Sequence, residues 1–389
     1  MKKFLMAAVA SAALLTACGG GGNNGETKAS ITSVKVVGAS LADSGTFGYK
    51  FTVQSTSGTA YKVYPERIAA TYGLSALCSA YTSPDGGSTW VTHSSCTNYA
   101  VAGARVNYTS GATSVDTVPV SAIKQLTDIG NAGFSSGDLL IVGEASANDM
   151  AALLTAAQTS TSAFTTMLSS LLSTSVIAAN ASSPATLGVL YMQALADKLT
   201  TAIKTNALDK GATRVAVLNT LDVTQTPRFQ AVLAGLSTSA AADLRALVTA
   251  WTQAYNSRLA SNLAAYSGKV AVVDFYTNFN AEMNDPAQYG LTNVSATVCD
   301  QVYSQANSVT PSVATAGSTS LSTVVSGVPV VAAACTDSAA SAITPTAGAT
   351  GASTWWQTYL YADNFHPTPY GHQLLAQLVA KRLTEAGWL

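Results

Sequence analysis

The sequence predicts an α/β protein, a three-layer α/β/α sandwich with a mostly parallel sheet as its middle layer. Four short apolar runs rich in β-branched residues, at 31–37, 138–143, 214–219 and 269–275, read as strands buried on both faces. Longer segments with helical spacing, at 150–172, 187–207, 240–266 and 370–386, lie between and after them. Strands that alternate with helices need crossovers, and crossovers on both faces bury a parallel sheet between two helical layers. Ser40 follows the run at 31–37, Gly103 a further short run at 98–102 and Asn148 the run at 138–143, where open α/β sheets bind ligands.

In chain order, Lys2 and Lys3 precede an apolar run at 4–15. About twelve apolar residues are too few to cross a bilayer, so residues 1–18 read as a signal peptide. The sequence Leu15-Thr16-Ala17-Cys18 resembles the lipobox of bacterial lipoproteins, which implies that Cys18 is acylated and becomes an anchor. Residues 19–25 are glycine and asparagine alone, and 19–30 read as a flexible tether. Under the lipoprotein resemblance, the absence of aspartate after the cysteine points to the outer membrane; the alternative is secretion.

The domain itself is expected over 31–389, with insertions at about 49–96 and 304–354. The first insertion contains a helix candidate at 65–74 and the turn Pro84-Asp85-Gly86-Gly87-Ser88 flanked by tyrosine and tryptophan, a hairpin pattern. A fifth short strand is expected at 98–102, and 121–129 reads as helix or loop. The second insertion is rich in Ser, Thr, Ala and Gly; 324–332 is its one strand candidate, weakened by Gly327 and Pro329. Its place before Asp363 suits a wall or lid.

Charged residues make up 10% of the chain, against about a quarter in an ordinary domain, a composition suited to secretion. Without Lys2 and Lys3 the 19 basic side chains become 17, against 20 acidic ones. With no basic cluster, nucleic acid is excluded as a partner. Besides Cys18 there are four cysteines, Cys78, Cys96, Cys299 and Cys335, an even number for an oxidising compartment. Four cysteines allow three pairings, of which Cys78 with Cys96 and Cys299 with Cys335 is the sequence-local choice. No Cys-x-x-Cys or paired histidine suggests a metal.

The chemistry is carried by Asp363-Asn364-Phe365-His366 near the end of the chain and Gly38-Ala39-Ser40-Leu41 after the first strand. A serine hydroxyl is a poor nucleophile at neutral pH; it needs an imidazole to take its proton and a carboxylate to orient that imidazole. The chain has 3 histidines, His93, His366 and His372, and His366 alone has an acid three residues before it. A rival motif, Gly133-Phe134-Ser135-Ser136-Gly137, fits the Gly-x-Ser-x-Gly elbow, but that elbow requires a strand before it and a helix after it. Here the expected order is reversed, which sets Ser135 aside.

These blocks, with Asn98-Tyr99-Ala100-Val101-Ala102-Gly103-Ala104 and Ser146-Ala147-Asn148-Asp149, resemble the GDSL family of esterases and lipases, also called SGNH hydrolases. The resemblance spans nearly the whole mature chain. It implies a flavodoxin-like sheet, Ser40, His366 and Asp363 as nucleophile, base and orienting acid, and Ser40, Gly103 and Asn148 as donors of an oxyanion hole. It implies no cofactor and a small-molecule or lipid ester as substrate, with the membrane engaged only through the anchor. The sequence departs from the family pattern at Ala39, where the family has aspartate, and at Ser146, where it has glycine. Trp355 and Trp356, just upstream of the acid and base, are candidates for an apolar acyl pocket. The reading is a lipid-anchored serine esterase or lipase. Its alternatives are an acyltransferase onto a sugar or lipid hydroxyl, and a catalytically degenerate glycan- or lipid-binding lipoprotein.

Overall fold

The computed structural model describes residues 30–305, 335–345 and 353–389. The signal peptide, Cys18, the tether at 19–29 and the strand candidate at 324–332 lie outside the described residues, as does most of the expected lid.

The central sheet has four parallel strands, β1 (Ser33–Val37), β2 (Asp138–Val142), β3 (Val215–Leu218) and β4 (Val270–Val273), side by side in that order. All residues of β2 and β3 are buried, as unbroken apolar runs require when helices cover both faces. The register is continuous across the sheet: Val36 faces Ile141, Ile141 faces Ala216, and Ala216 faces Ala271.

The expected fifth strand at 98–102 is reduced to one parallel bridge, between Asn98 and Val36. Tyr99 donates to Val36 O and Val101 to Gly38 O, so the segment does lie beside β1. Pairing ends there because β1 turns away at Gly38, whose φ of 147° favours glycine. The order is thus edge segment, β1, β2, β3, β4, the flavodoxin-like order of second, first, third, fourth and fifth.

Helices α1 (Tyr64–Thr71), α2 (Ala122–Ala132), α3 (Ser146–Thr159), α4 (Pro184–Asn206), α5 (Thr238–Leu263) and α6 (Pro369–Glu385) form the outer layers. α1 packs on α6, and both reach the sheet; α2 packs on α4, and α4 along α5. The α4–α5 contact is close because Gly188 presents no side chain: a Cβ there would lie 2.1 Å from the Trp251 ring. The Trp251 indole N–H is satisfied by Ala185 O at 3.1 Å.

Two expected elements have different ends. The single helix expected at 150–172 begins already at Ser146 and breaks at Ser160, which caps a second helix, Thr161–Leu168, by accepting from Ala163 N. The fourth strand stops at Val273 because Asp274 caps the helix Phe275–Asn284. The first insertion holds the expected hairpin, Tyr81–Thr82 against Val91–Thr92, with Cys78 and Cys96 bridged across its base. Cys299 and Cys335 form the second bridge. Loops of 18 and 36 residues should lose enough unfolded-state entropy to stabilise by roughly 3–4 kcal/mol each in the chain-entropy model.

The C-terminal ends of β2 and β3 carry a buried polar cluster. Glu144, 4% exposed, accepts from Ser146 Oγ at 2.9 Å and Ala147 N at 2.6 Å. Ser146 Oγ also meets Thr220 Oγ1. Burial pushes the Glu144 carboxyl up to about 7, against the donors that favour its charge. A carboxyl whose folded value is raised from 4.5 contributes its full stability below about pH 4.5 and loses it as pH rises through about 7. Glu144→Gln keeps the acceptor oxygen and does not titrate. Melting temperatures from pH 5 to pH 8 should therefore move in favour of the variant by several degrees as pH rises. A difference that stays flat across the range would contradict the buried, titrating carboxyl.

Candidate active site

Ser40 follows β1 directly, and its Oγ lies 2.8 Å from His366 Nε2. His366 Nδ1 faces the Asp363 carboxylate at 2.8 and 3.0 Å. Serine and histidine are 5% and 8% exposed, enough to be reached and dry enough to strengthen their contacts. The Asp363 side chain also closes its own turn, accepting from Phe365 N at 2.9 Å and His366 N at 2.7 Å. Burial alone would raise its carboxyl, but the His366 charge and these donors outweigh it and hold Asp363 below the usual carboxylate range.

The turn is held at both ends. Ala362 N donates to His366 O and Thr368 N to Leu360 O, fixing it to the strand Tyr359–Tyr361, and Thr368 then caps α6. The imidazole packs against the rings of Phe51 and Phe365, with centroids at 4.8 and 5.5 Å. The other histidines serve elsewhere. His372 is fully buried, its imidazole pushed down to about 3 by burial, and its Nε2 approaches Phe51 O at 3.4 Å. His93 meets Thr82 Oγ1 within the hairpin.

Gly103 and Asn148 come to the same end of the sheet. Gly103 has φ 78°, a left-handed conformation that favours glycine. Its neighbours are tied: Ala102 N donates to Asp43 Oδ2 at 2.9 Å, and Ala104 N to Val101 O. Asn148 lies in the first turn of α3, and its amide donates to Ala104 O at 2.9 Å. An amide carries two N–H bonds, so holding Ala104 uses one of them.

Four side chains that the sequence gave no role hold these loops in register. Asp43, fully buried, accepts from Gly45 N, Thr46 N and Ala102 N, so one carboxylate joins the serine loop to the Gly103 loop. Asn98, read only as part of its block, donates back to Ala42 O and Ser44 Oγ. Gln125 of α2 accepts from Gly38 N at 2.8 Å, two residues before the serine. Asp149 accepts from Val106 N and Asn107 N, fixing the start of α3 to the Gly103 loop. Gln125 carried a detectable signal: it shares a helix face with Ala122, Leu126 and Ile129, where a lone polar residue must find a buried partner. Close approach also matters here, since a Cβ on Gly38 would lie 3.1 Å from Gly143 Cα.

The expectation that Trp355 and Trp356 line an acyl pocket is corrected. They are 5% and 3% exposed and belong to a satellite core with Val53, Val298 and Tyr359. Their indole N–H groups are used up by Ala340 O and Ser341 Oγ. Among the described residues, a concave space lies elsewhere, between Asn148, Leu154, Val223, Phe229, Val248 and Phe365. Ser135 sits between α2 and β2, the reverse of an elbow, and its backbone N–H is held by Asp138.

A family model for GDSL-like lipases and acylhydrolases matches residues 34–379, from β1 into α6. A search of curated proteins found no match. The family match covers most of the chain and includes all four blocks that converge at the end of the sheet. The chain therefore belongs to the GDSL-like lipase/acylhydrolase family, a family of serine hydrolases.

Proposed function

We propose that the protein is a serine esterase or lipase that hydrolyses carboxylic esters through an acyl-enzyme. Ser40 Oγ attacks the ester carbonyl, His366 takes its proton and returns it to the departing alcohol, and Asp363 holds the imidazole in the tautomer that can do so. Water, activated by the same imidazole, then releases the acid. The backbone N–H groups of Ser40 and Gly103 and the Asn148 amide receive the developing oxyanion. The chemistry needs no metal or cofactor.

The observation that carries this reading is the continuous hydrogen-bonded series from Ser40 Oγ through His366 to Asp363, at 2.8 Å for each link. The same series argues against the degenerate, binding-only alternative. The two departures from the family pattern, Ala39 and Ser146, stand outside that series, and Ser146 Oγ is engaged by Glu144 and Thr220.

Ser40→Ala and His366→Ala should each abolish hydrolysis of p-nitrophenyl acetate while the circular dichroism spectrum and melting temperature stay near wild type. Asn148→Ala should lower kcat by roughly 10²–10³ with little change in KM, because its bond strengthens only as the oxyanion forms. Folded Ser40→Ala with near-normal rates would sink the assignment, and an Asn148→Ala effect confined to KM would make that residue a substrate-positioning group.

The protein is further proposed to be anchored to the outer membrane by acylation of Cys18, on the strength of the lipobox resemblance. Two or more acyl chains hold a protein far more firmly than one, whose binding is marginal at about 10⁴ M⁻¹. Cys18→Ser should move the protein to the soluble fraction, and the tether should leave hydrolysis of soluble esters intact. Wild-type protein found soluble with an unmodified N-terminus by mass spectrometry would overturn the anchor.

A further inference from the structure

A concave space lies beside Asn148. Its walls are α3 through Ala151 and Leu154, Val248 of α5, and Val223 and Phe229 from the segment between β3 and α5. Asn148 and Phe365 also line it, and the Phe365 ring lies 5.5 Å from that of His366. Arg228 is the one charged residue of the lining; burial pushes its guanidinium down to about 10, against the Asp363 charge that favours it. Arg228 N donates to Asn364 O at 2.9 Å, so the pocket wall is fastened to the turn that carries His366.

We propose that this pocket takes the acyl chain of the ester, and that it fits an uncharged aliphatic chain of up to about eight carbons. The proposal rests on the esterase reading above and names the substrate class of that same site. An ester carbonyl whose oxygen is held by Asn148 has two substituents, and only one can enter a pocket that shares the Asn148 wall. The acyl group stays bound through both steps, whereas the alcohol must leave and water must replace it beside His366; an apolar recess suits the group that stays. Length follows from α3. From Asn148 to Leu154 the helix advances about 9 Å at 1.5 Å per residue. An extended chain advances about 1.2 Å per bond, which gives about seven bonds and the octanoyl chain as the limit.

The experiment is kcat/KM for two ester series with the full-length protein: p-nitrophenyl esters from acetate to dodecanoate, and alkyl acetates of the same range. In the first series kcat/KM should rise roughly fourfold per added methylene, the equivalent of about 0.8 kcal/mol, and level off near octanoate. The second series should show no comparable rise. Ala151→Phe, which fills the pocket, should lower the octanoate-to-acetate ratio at least tenfold. Val223→Ala, which enlarges it, should move the optimum to longer chains, and circular dichroism checks that both variants fold.

A length profile unaffected by both folded variants would overturn the pocket assignment while leaving the esterase reading intact. Variants that shift the alkyl acetate series would overturn it equally, by making the recess an alcohol site. Failure of the wild type to hydrolyse any ester, acetate included, would overturn both readings.

Discussion

The hydrogen bond between His366 Nε2 and Ser40 Oγ joins residues 326 positions apart, and the rest of the fold can be understood by what it takes to hold that distance at 2.8 Å. Neither residue lies within a long element. Ser40 sits at the end of a five-residue strand, and His366 in a turn between a three-residue strand and α6. The parallel sheet fixes one end because β1 is paired along its whole length with β2 and flanked by the segment at 98–101. The other end is fixed by Asp363, whose carboxylate orders its own turn through two backbone amides and the imidazole through Nδ1. One side chain thus shapes the loop and holds the imidazole, which is possible because Asp363 sits only three residues before His366.

The loops between these ends are rigid for a related reason. Backbone amides at the ends of parallel strands have no partners within the sheet, and a buried amide left unpaired is costly. Here buried side-chain acceptors answer them: Asp43 for three amides, Asp149 for two, and Gln125 for Gly38. Each acceptor lies on a different segment from at least one amide it holds, so the three loops at this end of the sheet are cross-tied. Under the proposed esterase reading, that preorganisation would leave the donors in place as an oxyanion develops. The raised Glu144 carboxyl follows first from its own burial at this end of the sheet, with the Asp149 charge adding to it.

Much of this was legible in the sequence because the signals are local. The four apolar runs mark the sheet, Asp363 and His366 share one turn, and each of the four blocks is contiguous. What stayed hidden depends on contacts between distant segments. Asp43 was visible as a residue, but nothing local tells that it receives Ala102 N. Trp355 and Trp356 were misread because nearness in sequence to Asp363 is not nearness in space: the strand Tyr359–Tyr361 intervenes, and the indoles turn to Ala340 and Ser341 in the segment bridged through Cys335. The break at Ser160 went unseen because serine and threonine fit a helix surface and a cap equally well until packing decides.

The central claim is that Ser40 is a nucleophile activated by His366, and an active-site-directed fluorophosphonate tests it most directly. Attack by Oγ on phosphorus expels fluoride and leaves a stable phosphonyl ester that peptide mass spectrometry can locate. The account predicts a single adduct on the peptide containing Ser40, absent from folded His366→Ala protein. An unlabelled Ser40, or an adduct on Ser135 or another serine, would contradict it.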